Sequence, residues 1–164
     1  MRFCYGRCFW LLLLIAGNRL YAQGDENIFK KSSFYSVMSE NKEDAVNKQL
    51  DVLKTTTIKD KDAYEGALLM KKAGFAGSAK KKLNLFKEGH RKLEGILQKD
   101  SSNGEFRFLR LMIQEHAPGI VGYKKELQKD RLYIKNNFKT LPPVVQAAVL
   151  NYSKESKILK PADL

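Results

Sequence analysis

The sequence has few residues that could support thiol or imidazole chemistry. Its 164 residues include two cysteines, Cys4 and Cys8, and two histidines, His90 and His116. Both cysteines belong to an N-terminal segment that we expect to be removed, so the remaining chain uses neither disulfides nor a catalytic thiol. A domain without disulfides needs a hydrophobic core of its own, and the 142 residues after position 22 are enough to bury one.

Long apolar runs are also missing, apart from a short one near the N-terminus. Residues 8–16 form an apolar run of nine, after the basic residues Arg2 and Arg7. A membrane-spanning helix needs about 20 apolar residues, whereas a basic start, a short apolar run and a small residue before the cleavage site are typical of a signal peptide. We therefore expect residues 1–22 to be a signal peptide that is cleaved after Ala22, and the protein to be periplasmic in a Gram-negative bacterium, or secreted. An uncleaved membrane anchor is the alternative.

Motifs of catalytic or phosphate-binding sites are absent as well. The sequence has no GxSxG nucleophile motif, no HExxH zinc motif and no glycine-rich loop between a strand and a helix. We therefore predict a protein that is not an enzyme and has no cofactor. The alternative is a metal-binding protein or hydrolase that uses His90, Glu94 and His116, because two histidines and one carboxylate suffice for some zinc sites. In the simpler interpretation His90 lies on an apolar helix seam and His116 is a favourable cation at a helix end.

Basic residues, by contrast, are abundant. The chain has 30 Lys and Arg against 18 Asp and Glu, and loss of the three arginines in residues 1–22 lowers its net charge from +12 to +9. The densest cluster covers residues 80–92, where Lys80, Lys87 and Arg91 recur at helical spacing on one side. That side is a candidate binding face for anionic partners.

A second basic run covers residues 124–139, and both runs have two interpretations. The simpler one is a solvated helix surface. The functional one is a binding face for an acidic protein or for anionic lipids or glycans of the cell envelope. Nucleic acid is not an expected partner, because the protein is exported and aromatic residues do not alternate with these lysines as stacking platforms.

Helical periodicity predicts an all-α fold of about six helices in antiparallel pairs. A lead-in segment of residues 23–38 has no clear period, a single helical domain covers residues 39–158, and residues 159–164 form a tail. The fifth helix carries Asp130 on its apolar face, so it is also interpretable as two helices that break near Lys129. The six predicted helices cover residues 40–54, 63–73, 79–98, 104–116, 120–138 and 142–156.

The fourth predicted helix organises the others. Six of the eight residues 106–113 are apolar, and a helix that is apolar nearly all round is a buried one. Only Arg107, Arg110 and Gln114 form a polar strip, which we expect to face solvent; the alternative is a groove beside the core. Pro118 marks the end of this helix.

Capping residues and small residues mark the helix ends and contacts. Glycine and alanine in the second and third helices predict close helix–helix approach. Predicted caps are Ser39, the pairs Asp62 with Glu65 and Ser102 with Glu105, Ser78, and Gly74 as a left-handed C-cap; predicted close contacts are Ala63, Gly66, Ala67, Gly89 and Gly95.

Residues 92–103, Lys-Leu-Glu-Gly-Ile-Leu-Gln-Lys-Asp-Ser-Ser-Asn, resemble the second helix and exit turn of a tetratricopeptide repeat. That family has a small residue where Gly95 stands, then apolar residues, Asp, usually Pro, any residue and Asn; Ser101 replaces the Pro. Residues 64–75 are loosely similar to its first helix, and no second copy follows at the 34-residue period. The resemblance, to one degenerate unit within residues 64–103, implies an irregular helical bundle that binds a partner. We therefore expect an exported, non-catalytic interaction protein.

Overall fold

The structure, a computed structural model, describes residues 28–164, and within them the regular structure is helical, without strands. The predicted signal peptide with its cleavage after Ala22, and both cysteines, lie outside the described residues. Short 3₁₀ turns occur at Gly119–Val121, Phe138–Thr140 and Pro161–Asp163. The α-helices are α1 (Lys31–Ser39), α2 (Glu43–Thr55), α3 (Lys61–Phe75), α4 (Ala79–Lys99), α5 (Gly104–His116), α6 (Leu127–Asn137) and α7 (Pro143–Ser153).

The all-α helical bundle is confirmed, but its limits are wider than predicted. The additional helix is α1, which lies in the segment predicted as a lead-in and buries Phe34, Tyr35 and Met38. At the other end Leu159, predicted as tail, is fully buried in the same core. The predicted limits of 39 and 158 are therefore too narrow. Tertiary contacts of three side chains stabilise a nine-residue helix that would not form alone.

Helix α5 is the centre of the bundle, as predicted. Nine of its 13 residues are buried, and it packs against α3, α4 and α6. Its Phe108 ring also contacts Tyr35 of α1 and Tyr152 of α7, at centroid distances of 5.9 and 5.6 Å. A helix with neighbours on most sides needs apolar residues on most sides, which explains the composition of this segment.

Helices α3 and α4 form an antiparallel hairpin whose backbones approach closely at two glycines. A methyl group built on Gly89 would collide with the carbonyl oxygen of Gly66 and lie 2.9 Å from the backbone nitrogen of Met70. Close approach is therefore confirmed at Gly66 and Gly89. It is wrong at Gly95, where no atom lies within 4 Å of such a methyl group.

Of the predicted N-caps, only Ser78 is confirmed, since its hydroxyl accepts a hydrogen bond from the backbone N–H of Lys81. Ser39 ends α1 instead of starting α2, and its hydroxyl donates to the carbonyl of Ser36. Helix α5 is capped by Asn103, one residue after the predicted Ser102, and Asn103 accepts from the N–H of Phe106. Several hydroxyl and amide side chains lie near each of these helix starts, and their spacing in the sequence does not show which one caps the helix.

Two further helix ends differ from the prediction. Gly74 lies inside α3 rather than after it. Asp62 and Glu65 make no cap and instead form salt bridges with Lys92 of α4, at 2.7 and 3.2 Å. These carboxylates strengthen the hairpin rather than the helix start.

The predicted helix 120–138 is shorter than expected. A 3₁₀ turn and Gly122, in the left-handed region with φ 65°, precede α6, which begins only at Leu127. The suggested break near Lys129 does not occur, because Asp130 belongs to the buried face of an intact helix. The residues before Leu127 form a connection in which Tyr123 is buried and Ile120 is exposed, and it bears on the candidate site.

Candidate functional site

The polar strip of α5 is the first place where a site could lie. The expectation that it faces solvent is wrong: Arg110 is buried and Gln114 is 1% exposed. Arg110 points into the bundle, where Asp130 of α6 is fully buried. A charge in the core requires a partner, and Asp130 provides it.

Asp130 and Arg110 are joined in a bidentate ion pair. Arg110 Nε lies 2.6 Å from Asp130 Oδ2 and its Nη2 lies 2.8 Å from Oδ1. Arg107 donates a third hydrogen bond to Asp130 at 3.0 Å. On the other side Arg110 Nη1 binds Glu94 of α4 at 3.0 Å, and the Tyr123 hydroxyl donates to the second Glu94 oxygen at 2.5 Å. This core ion-pair network connects α4, α5 and α6.

The pKa values of Arg110 and Tyr123 in the core ion-pair network are both raised by their surroundings. Burial disfavours the charged guanidinium of Arg110, but Asp130 and Glu94 outweigh it and raise its pKa. Burial, together with the Glu94 carboxylate, raises the pKa of Tyr123 far above its ordinary value. Arg110 is therefore charged and Tyr123 protonated at neutral pH, and both donate hydrogen bonds that hold α4, α5 and α6 together.

A carboxylate of α5 also binds several neighbouring side chains. Glu105, predicted as a capping residue, is buried, and its carboxylate accepts hydrogen bonds from Tyr35 at 3.1 Å and Tyr64 at 2.9 Å. Lys31 of α1 forms a salt bridge with it at 2.6 Å. Burial and the carboxylate together raise the pKa of Tyr35. Glu105 therefore connects α1, α3 and α5.

The other carboxylate of α5, Glu115, connects this helix to the C-terminal segment. It accepts hydrogen bonds from the hydroxyls of Tyr152 at 2.5 Å and Ser156 at 2.6 Å, and from the Lys157 backbone N–H at 2.6 Å. Partial burial raises the pKa of Glu115, but these hydrogen bonds outweigh it, and the pKa is lowered on balance. The folded state therefore prefers the ionised carboxylate.

This preference predicts a pH dependence of stability. A carboxyl group whose folded pKa is depressed stabilises the fold above its unfolded pKa of about 4.3, and that contribution is lost as pH falls through the folded value. We expect Glu115→Gln to be less stable than wild type at pH 6 and to approach it at pH 3, measured by urea unfolding. Glu155→Gln, which changes an exposed carboxylate, is the control. A stability difference between wild type and Glu115→Gln that stays the same from pH 6 to pH 3 would contradict the lowered pKa of Glu115.

The alternative metal site is not assembled in the structure. The His90 ring contacts the rings of Phe86 and Tyr123, at centroid distances of 6.4 and 4.6 Å, and Glu94 is held in the core ion-pair network. His116 Nδ1 lies 3.0 Å from the carbonyl oxygen of Met112 in its own helix. Among residues 28–164, no three His, Cys, Asp or Glu side chains lie together as metal ligands would.

A shallow groove of about 310 Å³ lies where α1, α5 and α7 meet. Its lining is neutral and is dominated by small residues, among them Ser36, Ala147 and Ala148. The Tyr152 hydroxyl at its edge already binds Glu115. The groove therefore offers no charged side chain to a ligand.

The predicted basic residues lie together on the exposed side of α4. Lys80, Lys87 and Arg91 are exposed, and their spacing places them opposite the buried side chain of Leu93. No salt bridge within residues 28–164 neutralises any of the three. Lys92 differs, because Asp62 and Glu65 bind it.

Comparison of the chain with protein families, curated proteins and solved structures finds no match. No helix of residues 28–164 is long and apolar enough to cross a membrane. Any functional conclusion therefore depends on the geometry and charges of the chain itself.

The second basic run contains cations that form salt bridges and cations that do not. Arg131 and Lys135 bind Asp163, and Lys129 binds Glu126. Lys124 and Lys125 are exposed and form no salt bridge within the described part of the chain.

Tyr123, the residue before Lys124 and Lys125, packs on α4. Its ring contacts His90 at a centroid distance of 4.6 Å and Phe86, the neighbour of Lys87, at 5.6 Å, while the Lys124 ammonium lies 3.5 Å from the carbonyl oxygen of Glu115 at the end of α5. The sequence alone does not join the two runs, because their meeting depends on a contact between residues that are distant along the chain. The five residues that we call the basic surface are Lys80, Lys87, Arg91, Lys124 and Lys125.

Proposed function

We propose that the protein is an exported, non-catalytic interaction protein that binds an anionic partner through the basic surface. One observation carries the proposal. In a chain whose carboxylates are largely engaged with neighbouring cations and hydroxyls, the basic surface gathers five exposed cations without a salt bridge in residues 28–164. Partners consistent with this charge are an acidic protein or an anionic component of the cell envelope.

The position of the lysines on α4 supports a binding role. Lys80 to Lys82 occupy the first turn of α4, which contains no acidic residue. The helix macrodipole makes cations unfavourable at this end, by about 0.3–1 kcal/mol each. Their presence therefore lowers the stability of α4, and a gain in binding would account for it.

The α3–α4 hairpin also suits a platform for binding. Helix α4 is 21 residues long, and its contacts with α3 at Gly66 and Gly89 hold it close along its buried side. In our proposal this hairpin acts as the single tetratricopeptide-like unit that residues 64–103 resemble. A rigid helix presents charges at fixed spacing, which lowers the entropy lost on binding.

Reversal of the α4 charges tests the proposal. We expect the triple variant Lys80→Glu, Lys87→Glu and Arg91→Glu to lose its partner from an envelope extract at least tenfold relative to wild type, because attraction becomes repulsion. It should remain folded, since all three positions are exposed and glutamate is favourable in a first helical turn. The measurement is affinity capture at low salt, with bound protein, lipid and glycan quantified.

The matched control reverses three exposed lysines on other elements, Lys48, Lys59 and Lys139. It changes the net charge by the same amount, so we expect it to keep the partner. Equal capture by wild type and the α4 triple variant would refute the proposal. Equal loss in both variants would show that only net charge matters and would refute a localised surface.

A further inference from the structure

Two of the large apolar side chains that the fold leaves exposed border the basic surface. Ile120 is 97% exposed, in the connection between α5 and α6, and Leu83 is 45% exposed on α4. Ile120 does not lie on a loose segment: the 3₁₀ turn Gly119–Val121 contains it, and Val121 packs partly against the core. An isoleucine exposed to water contributes no buried apolar area to the fold, and its side chain is available to a partner.

Chain geometry places both side chains close to the lysines. Ile120 precedes Tyr123 by three residues, so their Cα atoms lie within about 10–11 Å. The Tyr123 ring contacts Phe86, and Leu83 lies about one helical turn before Phe86 on α4. The two apolar residues therefore lie near Phe86 and Tyr123, which adjoin Lys87, Lys124 and Lys125 along the chain.

We propose that this combined surface docks on an anionic phospholipid bilayer. The cations of the basic surface contact headgroup phosphates, while Ile120 and Leu83 enter the boundary between headgroups and acyl chains. The inference rests on the proposed function and names its partner. The contact is peripheral, because no helix in residues 28–164 is long and apolar enough to span the membrane.

The chemistry of the surface favours a bilayer over an acidic protein. A protein partner would bury Ile120 only if it offered a pocket of matching shape, since affinity at protein interfaces comes from well-packed anchors. A bilayer accepts any protruding apolar side chain and supplies a sheet of negative charge around it. Lysine and arginine can keep their charges at the headgroups while their methylene stems lie along the apolar boundary.

Tryptophan fluorescence tests insertion directly. The only tryptophan of the sequence is Trp10, within the predicted signal peptide, so Ile120→Trp in the exported protein reports on one site. We expect its emission to shift to the blue with vesicles of phosphatidylcholine and phosphatidylglycerol at 3:1, and to stay unchanged with phosphatidylcholine alone. The control Leu150→Trp places the probe on α7, at a residue 44% exposed, and should show no shift. An unshifted Ile120→Trp, or equal shifts at both positions, would overturn the inference.

Vesicle cosedimentation separates this inference from the proposed function. We expect Ile120→Ser with Leu83→Ser to weaken binding to the anionic vesicles roughly tenfold or more, while Leu150→Ser binds as wild type. Retention on a heparin column, which depends on charge alone, should be unchanged in the serine variants and reduced in the α4 charge-reversal variant. If wild type ignores anionic vesicles but charge reversal still abolishes envelope capture, the bilayer is the wrong partner and the proposed function stands. If charge reversal changes neither vesicle binding nor capture from the envelope extract, both the proposed function and the bilayer inference are wrong.

Discussion

Replacing Asp130 with asparagine is expected to lower the free energy of unfolding by about 3–5 kcal/mol, the usual loss when one partner of a buried ion pair is removed. Asp130 is fully buried and accepts hydrogen bonds from both Arg110 and Arg107. Asparagine keeps the shape but not the charge, and Arg110 remains in the core with only Glu94 to balance it. Chemical denaturation followed by circular dichroism measures the difference.

The control for this prediction is Asp51→Asn. Asp51 is exposed and forms a salt bridge only with Lys54, one turn along α2, so its replacement should leave the unfolding midpoint nearly unchanged. If Asp130→Asn were as mild as Asp51→Asn, the core ion-pair network would not hold α5 and α6 together as described.

Replacing Gly89 with alanine is expected to destabilise the protein by about 3 kcal/mol, at the upper end of the range for overpacked cores. The new methyl group would meet backbone atoms of α3 at Gly66 and Met70. Backbone atoms move less readily than a flexible side chain, so the two helices must separate. The helix-propensity gain of about 1 kcal/mol for alanine over glycine offsets only part of this loss.

Gly95→Ala in the same helix is the matched control, with an expected effect of opposite sign. No atom lies within 4 Å of the added methyl group, so only the propensity gain remains, and stability should rise by about 1 kcal/mol. Thermal or urea unfolding of the two variants decides the matter. Stabilisation by Gly89→Ala, or equal losses in both, would contradict the close approach of α3 and α4.

The sequence predicted the helical elements better than their ends. The apolar residues of α5 identified it as the buried centre because a composition so rich in leucine, phenylalanine and methionine has no other stable environment in water. Helix α1 was not predicted because only three of its residues are buried, which is too few for a clear helical period. Contacts with residues distant in the sequence stabilise it.

The core ion-pair network could have been predicted in part. Helical periodicity predicts that Arg110 faces solvent and that Asp130 interrupts the apolar face of its helix. Charged residues are seldom buried unless paired, so two opposite charges, each on an apolar face, indicate a mutual partner. Their pairing depends on how α5 and α6 pack, which spacing along the chain does not give.

The basic surface was predicted on α4 but not in full. Helical spacing alone placed Lys80, Lys87 and Arg91 on one side. Lys124 and Lys125 joined them only through the contact of Tyr123 with α4. The carboxylates that form salt bridges with Lys92, Arg131 and Lys135 are distant in sequence. The number of basic residues in each run is therefore larger than the number of cations without a salt bridge.

Lysine footprinting tests the central claim, that the basic surface is the binding site, and it does not require an identified partner. The protein is briefly acetylated with and without envelope extract, and the modification of each lysine is quantified by mass spectrometry. We expect the extract to slow acetylation of Lys80, Lys87, Lys124 and Lys125 severalfold, because bound amines are covered, while the exposed Lys48 reacts as before. Unchanged rates at the four lysines, with protection elsewhere or nowhere, would contradict it.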